Sequence, residues 1–127
     1  MPRPPAKDLT ERELDVMHVF WKHKEATAQE VRDWLAEGGQ DCAYPTIANL
    51  VRILHEKGFL EQTNEDRPFR YKPVRTYEDV SSRRLGDVLQ RVFRGSREQL
   101  LVRLMEQRKL SAKERAILHE ILKEQDQ

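Results

Sequence analysis

One cysteine in 127 residues, Cys42, excludes an internal disulfide and any cysteine-rich zinc site. A reducing cytoplasm is therefore the expected location. No stretch is long and apolar enough to span a bilayer. The opening Met1-Pro2-Arg3-Pro4-Pro5 lacks the apolar core of a signal peptide and reads as a flexible arm over residues 1–8. Net charge is scarce too, at +1. Residues 78–127 carry 11 basic and 9 acidic side chains, and residues 1–77 carry 12 basic and 13 acidic. The overall positive charge of many nucleic-acid binders is missing, so DNA binding by the first part requires cations gathered on one face.

Catalytic signatures are absent as well. There is no glycine-rich phosphate loop and no nucleophile elbow. His55-Glu56 and His119-Glu120 start like a zinc-protease motif, but Phe59 and Lys123 stand where the second histidine belongs. His18 and His23 are five apart and fall on different faces of a helix. All four histidines read as surface or half-buried side chains. No enzyme activity, metal, cofactor or small-molecule ligand is expected. Cys42 stands just ahead of a helix start, where a thiol pKa can fall; a structural thiol is the plainer reading.

What the chain has is repeated helix punctuation. Thr10-Glu11-Arg12-Glu13 is a capping box, with Leu9 and Leu14 at the staple positions. It predicts a first helix over about 11–23, with Leu14, Met17, Phe20 and Trp21 on or near the buried stripe. Thr27-Ala28-Gln29-Glu30 repeats the device. A second helix follows, burying Val31, Trp34 and Leu35 and stopping at Gly38-Gly39. A third begins at Pro45, a natural first-turn residue. Its Ile47, Leu50, Val51 and Leu54 recur at i, i+3, i+4 and i+7 up to a glycine stop at Gly58. Residues 59–63 and 69–74 read as two short strands, joined by the turn Asn64-Glu65-Asp66-Arg67-Pro68. Three helices and a hairpin are the order of a winged helix-turn-helix.

From about Thr76 a second region begins. Val80, Leu85, Val88, Leu89, Val92 and Phe93 form a helical stripe that stops at Gly95. Ser96 caps another helix with Leu100, Leu101, Leu104 and Met105, and Ser111 caps a last one with Ile117, Leu118, Ile121 and Leu122. About fifty residues bury too little surface to stand alone. The stripes, Val88, Leu89, Val92, Leu101, Leu104, Leu118, Ile121 and Leu122 foremost, therefore predict a homodimer. The expected class is mainly α with a small β-hairpin: a winged helix-turn-helix over residues 9–75 and a helical dimerisation domain over 76–127.

On the third helix, Pro45, Asn49, Arg52 and Glu56 lie opposite the apolar face, flanked by Thr46 and Ala48. N-terminal residues of such a helix meet base edges in the major groove. Asn49 suits an adenine edge, Arg52 a guanine or a phosphate, Thr46 a phosphate or thymine methyl, and Ala48 a methyl. An ordinary solvated face is the competing reading. In the hairpin, Arg67 at the tip and Arg70 on the returning strand are placed for backbone or minor-groove contact, and Tyr71 for packing or a phosphate bond. Their mixture with Glu61, Glu65 and Asp66 equally fits a solubilised hairpin.

These residues resemble the penicillinase-repressor (BlaI/MecI/CopY) family of winged-helix regulators over about Leu9 to Leu122. The likeness lies in Leu9-Thr10-x-x-Glu13-Leu14-x-Val16-Met17-x-x-Phe20-Trp21, Tyr44-x-Thr46-Ile47, Lys57-Gly58-Phe59-Leu60, Arg67-Pro68-Phe69-Arg70-Tyr71 and Val92-Phe93-x-Gly95. The resemblance implies a dimeric repressor on double-stranded DNA, at a palindrome in its own promoter region. Half-sites about 34–36 Å apart, or a multiple, follow from such a dimer. Tyr44 and Pro45, at the start of the third helix, complete the candidate DNA-contacting set. The resemblance also implies a membrane-embedded metallopeptidase sensor whose signal leads to cleavage in the dimerisation region. Departures are local. Pro45 and Asn49 stand where the family often has Thr, and Ala48 where it has a basic or long residue. The Asn-Phe cleavage pair of beta-lactam-sensing members aligns with Arg103-Leu104, and the cysteine pairs of copper-responsive members are absent. The expected function is a cytoplasmic, homodimeric, sequence-specific transcriptional repressor; proteolytic inactivation is implied by the resemblance alone, and the mismatch at Arg103-Leu104 counts against it. The alternatives are a winged-helix protein-interaction module without specific DNA binding, and an adaptor or enzyme subunit using the helical C-terminus.

Overall fold

A computed structural model describes residues 9–125, so the expected N-terminal arm lies outside the described residues. The elements run α1 (Glu11–His23), β1 (Ala26–Thr27), α2 (Ala28–Glu37), α3 (Tyr44–Glu56), β2 (Leu60–Gln62), β3 (Arg70–Pro73), α4 (Tyr77–Arg91), α5 (Arg97–Gln107) and α6 (Ala112–Gln125). The chain is mainly helical with one small sheet. It forms two compact units that divide between Ser81 and Ser82, inside α4.

The first unit is built on its caps. Thr10 Oγ1 accepts from the Glu13 amide at 3.1 Å, while Glu13 Oε1 accepts from the Thr10 amide at 3.0 Å. Thr27 and Glu30 repeat the exchange at 3.1 and 2.9 Å. Each box satisfies two amides that a helix start leaves without partners, and losing such a cap costs about 1 kcal/mol. Helix α3 has no side-chain cap; Ala43 stands at its N-cap and Pro45 in its first turn.

Three helices close on one core. Phe20, Met17 and Val16 of α1, Val31 of α2, and Ile47, Val51 and Leu54 of α3 are fully or almost fully buried, with Leu60 of β2 beneath them. Each such side chain contributes roughly 1.5–3 kcal/mol by leaving water. The buried arc of α1 is Glu13, Val16, Met17 and Phe20, so the expected stripe is displaced by a fraction of a turn. Leu14 and Trp21 pack at its margin. Trp21 stays there because its indole N–H donates to the Arg75 carbonyl at 2.9 Å, a partner that complete burial would have to supply elsewhere. Trp34, expected in the core, is likewise half-buried and stacks on His23 with ring centroids 3.6 Å apart.

The sheet is antiparallel with strand order β1-β3-β2. Leu60 faces Pro73, Glu61 faces Lys72 and Gln62 faces Tyr71. The assigned strands are shorter than the sequence suggests, although Thr63 and Val74 still donate to Arg70 and Phe59 at 2.8 Å. Strand β1 is only two residues long and leaves no pattern in the sequence. It pairs Ala26 with Tyr71 and Thr27 with Arg70, which ties the returning strand of the hairpin to the start of α2.

In the second unit, Ser111 and Glu114 form a third capping box, with bonds of 2.8 and 3.1 Å. Ser96 accepts from the Gln99 amide at 3.2 Å. Helix α4 ends at Arg91, earlier than the stop expected at Gly95, and Gly95 takes a positive φ of 83° in the turn that follows. Val92 therefore sits in that turn, exposed. No residue of α5 or α6 is buried.

Candidate nucleic-acid interface

Helix α3 turns one face inward through Ile47, Val51 and Leu54. The 3.6-residue period then puts Pro45, Asn49, Arg52 and Glu56 on the outer side, and all four are exposed. Tyr44 and Thr46 are exposed beside them, whereas Ala48 is half-buried on the flank. The outer stripe carries its own network. Arg52 Nη2 donates to Asn49 Oδ1 at 2.7 Å, and Arg52 Nη1 donates to Glu56 Oε2 at 2.6 Å. At the start of α3, Arg12 Nη1 donates to Cys42 Sγ at 3.1 Å and Arg32 Nε to the Cys42 carbonyl at 3.4 Å.

The helix is held on its scaffold from both ends. Lys57, just past α3, donates from Nζ to Glu13 Oε1 at 2.8 Å. The Glu13 side chain is 5% exposed and that of Lys57 18%. The carboxylate that caps α1 thus also fixes the end of α3. Nothing in the sequence flags this pair, since its members are distant in the chain and each has an obvious local role.

The hairpin is organised by Asn64. Its Nδ2 donates to the Asp66 and Pro68 carbonyls at 3.0 and 3.1 Å, and its Oδ1 accepts from the Arg70 amide at 2.8 Å. Arg67 is exposed at the tip, with its guanidinium carbon 5.4 Å from the Phe69 ring centroid, inside cation–π range. Arg70 is engaged within the unit. Its Nε donates to Glu25 at 2.7 Å and its Nη1 lies 3.4 Å from Glu30. The bond to Glu25 raises its pKa, partial desolvation opposes this, and Glu30 adds to the rise. Lys72 pairs with Glu61 across the strands at 3.1 Å. Tyr71 packs against the core, edge-on to His55 at 5.5 Å. Burial pushes its phenol pKa up, Tyr44 adds to the rise and Arg67 opposes it.

The structure therefore brings Tyr44, Pro45, Thr46, Asn49 and Arg52 onto one accessible helix, with Arg67 at the hairpin tip, and commits Arg70 to internal ion pairs. No group of three or more His, Cys, Asp or Glu side chains placed to hold a metal occurs among the described residues. No described helix is long and apolar enough to cross a membrane.

Three helices, the third polar on its outer face, and a three-stranded wing define a winged helix. The chain belongs to the penicillinase repressor family, whose model matches residues 9–124. It is 29% identical over 116 residues to the penicillinase repressor of Bacillus licheniformis, covering 91% of this chain and 90% of that protein. It is 24% identical over 115 residues to the methicillin resistance regulatory protein MecI of Staphylococcus aureus (strain N315), covering 91% and 93%. Among solved structures, the DNA binding domain of the repressor BlaI matches with a TM-score of 0.50 and 32% identity, over 62% of this chain and 93% of that one.

Proposed function

We propose that this protein is a homodimeric transcriptional repressor that recognises a palindromic operator. The observation that carries the reading is the exposed outer stripe of α3, on a winged helix of the penicillinase repressor family. Asn49 and Arg52 read base edges, Tyr44, Pro45 and Thr46 contact the adjoining backbone, and Ala48 packs on a methyl from the flank. Arg67 contacts phosphate or the minor groove from the wing tip. Arg70 serves by holding β3 to the start of α2, and reaches DNA only by giving up Glu25 or Glu30.

The second unit supplies the dimer. Val88, Leu101, Leu104, Leu118, Ile121 and Leu122 are each 42–57% exposed, and Leu89 is half-buried. An array of apolar side chains this extensive marks an interaction surface. A two-fold dimer presents two reading helices to two half-sites, and loses most of its operator affinity when it dissociates. Cleavage at Arg103-Leu104, in α5, is the off-switch within this proposal. Both residues are exposed in the single chain, but Leu104 belongs to the proposed dimer surface, so this bond is open to a protease only in a chain that has left its partner.

DNase footprinting on the DNA upstream of the protein's own gene tests the proposal. The expected result is two symmetric protected half-sites, with α3 substitutions such as Asn49→Ala removing protection. Absence of any footprint at low salt contradicts it, and favours a protein-interaction module.

A further inference from the structure

Residues 1–77 hold 12 basic and 13 acidic side chains, an odd balance for a domain that approaches a polyanion. The structure shows where much of that negative charge goes. Lys72 is paired with Glu61, and Arg70 with Glu25 and Glu30. Arg52 is paired with Glu56, and here both partners lie on the reading stripe itself.

Helix energetics do not explain Glu56. It is the last residue of α3, where the helix dipole disfavours a carboxylate. Its pair with Arg52 is spaced i,i+4 with the cation N-terminal, the less favourable order. Both partners are well exposed, at 58% and 61%, so the pair adds little to stability. What it does is geometric. It stretches the guanidinium between Glu56 Oε2 and Asn49 Oδ1, at 2.6 and 2.7 Å.

We propose that Glu56 is a specificity-determining residue: an internal counter-ion that keeps Arg52 aligned with Asn49 and away from DNA phosphates unless a matching base edge is present. This rests on the assignment of α3 as the reading helix. A single phosphate offers Arg52 one more carboxylate-like partner, so exchanging Glu56 for it brings little. The O6 and N7 acceptors of a guanine offer a bidentate match to two of the five guanidinium N–H donors, a contact that leaves the Glu56 bond in place while Asn49 meets its own base. The carboxylate thus depresses non-specific binding more than specific binding, which is how discrimination is built by opposing the wrong partner.

The test is fluorescence anisotropy across a salt series with wild type and Glu56→Gln. The probes are the duplex selected by wild type from a random pool and a scrambled duplex of equal length. On scrambled DNA, Glu56→Gln is expected to bind about fivefold tighter per protomer engaged, the scale of an exposed ion pair, with a salt slope steeper by about 0.9 per added phosphate contact, or about 1.8 when both protomers of the dimer engage. On the selected duplex its affinity stays within about twofold, on the same reasoning. In an Arg52→Ala background the gain on scrambled DNA disappears. Equal shifts on both duplexes, no gain on scrambled DNA, or a gain that persists without Arg52 overturns the inference. A wild-type protein that does not distinguish the duplexes overturns the reading-helix assignment, and this inference with it. Melting curves of the variants, expected to overlay wild type, separate these outcomes from misfolding.

Discussion

Replacing Lys57 by Met tests how the reading helix is held. Met keeps most of the apolar stem and removes the ammonium group that lies 2.8 Å from Glu13. The Glu13 side chain, only 5% exposed, would then lack its cation. Breaking a fully buried ion pair by deleting one partner costs about 3–5 kcal/mol. Two observations reduce that here. The Lys57 side chain keeps 18% of its exposure, and the Glu13 carboxylate still accepts from the Thr10 amide at 3.0 Å. The expected loss is about 2–3 kcal/mol. For a domain of 60–100 residues this lowers Tm by roughly 10–20 °C. Adding Glu13→Gln should restore part of it, because the amide oxygen can still cap α1 while the buried charge is gone. A double-mutant cycle by thermal and urea unfolding, at one protein concentration, should give a coupling of about 1–2 kcal/mol. A Lys57→Met protein within about 0.5 kcal/mol of wild type, the range of ordinary surface changes, would refute the role of this pair.

Other outcomes follow from the same structure. Asn49→Ala should cost about 1–3 kcal/mol in operator binding and relax choice at one base pair per half-site; an equal loss on every DNA sequence removes it from base reading. Arg67→Ala should weaken all DNA alike and lower the salt slope by about 0.9 per phosphate contact, and an unchanged slope places the wing tip away from phosphate. Leu118→Asp or Ile121→Asp should give monomers in analytical sedimentation, because a charge would enter the apolar surface; a persistent dimer locates the interface elsewhere. The Ser111 amide and hydroxyl contacts hold the Glu114 carboxyl below its ordinary pKa. A lowered folded pKa adds stability above the unfolded carboxylate range, and that stability is lost as pH falls through the folded value. Glu114→Gln, which removes the titrating group, should flatten this acid-side dependence in pH-dependent melting, and Ser111→Ala, which keeps the main-chain amide, should flatten only part of it; a Glu114→Gln profile identical to wild type shows the box to be inert.

Much of the fold is legible in the chain because its signals are local. The boxes at Thr10, Thr27 and Ser111 place helix starts through contacts only three residues apart, and Ile47, Val51 and Leu54 define the inner face of α3 by period alone. The exposed stripe with Asn49 and Arg52 follows as its complement. What the sequence hides is non-local or aperiodic. Strand β1 is two residues long, too short to alternate, and it forms only against Arg70 and Tyr71. Glu13 looks like a cap and Lys57 like a helix end, so their ion pair appears only when α1 and α3 pack. Arg70 reads as a free wing cation until β1 and α2 bring Glu25 and Glu30 beside it. Trp21 reads as core, yet its indole N–H requires the Arg75 carbonyl and keeps the ring at the margin.

The most direct measurement is fluorescence anisotropy of the purified protein on DNA from its own upstream region and on scrambled DNA, from low to physiological salt. A specific repressor binds the upstream DNA at least about a thousandfold more tightly at physiological salt. Equal, weak and steeply salt-dependent binding to both fragments, or no binding at low salt, contradicts operator recognition by α3.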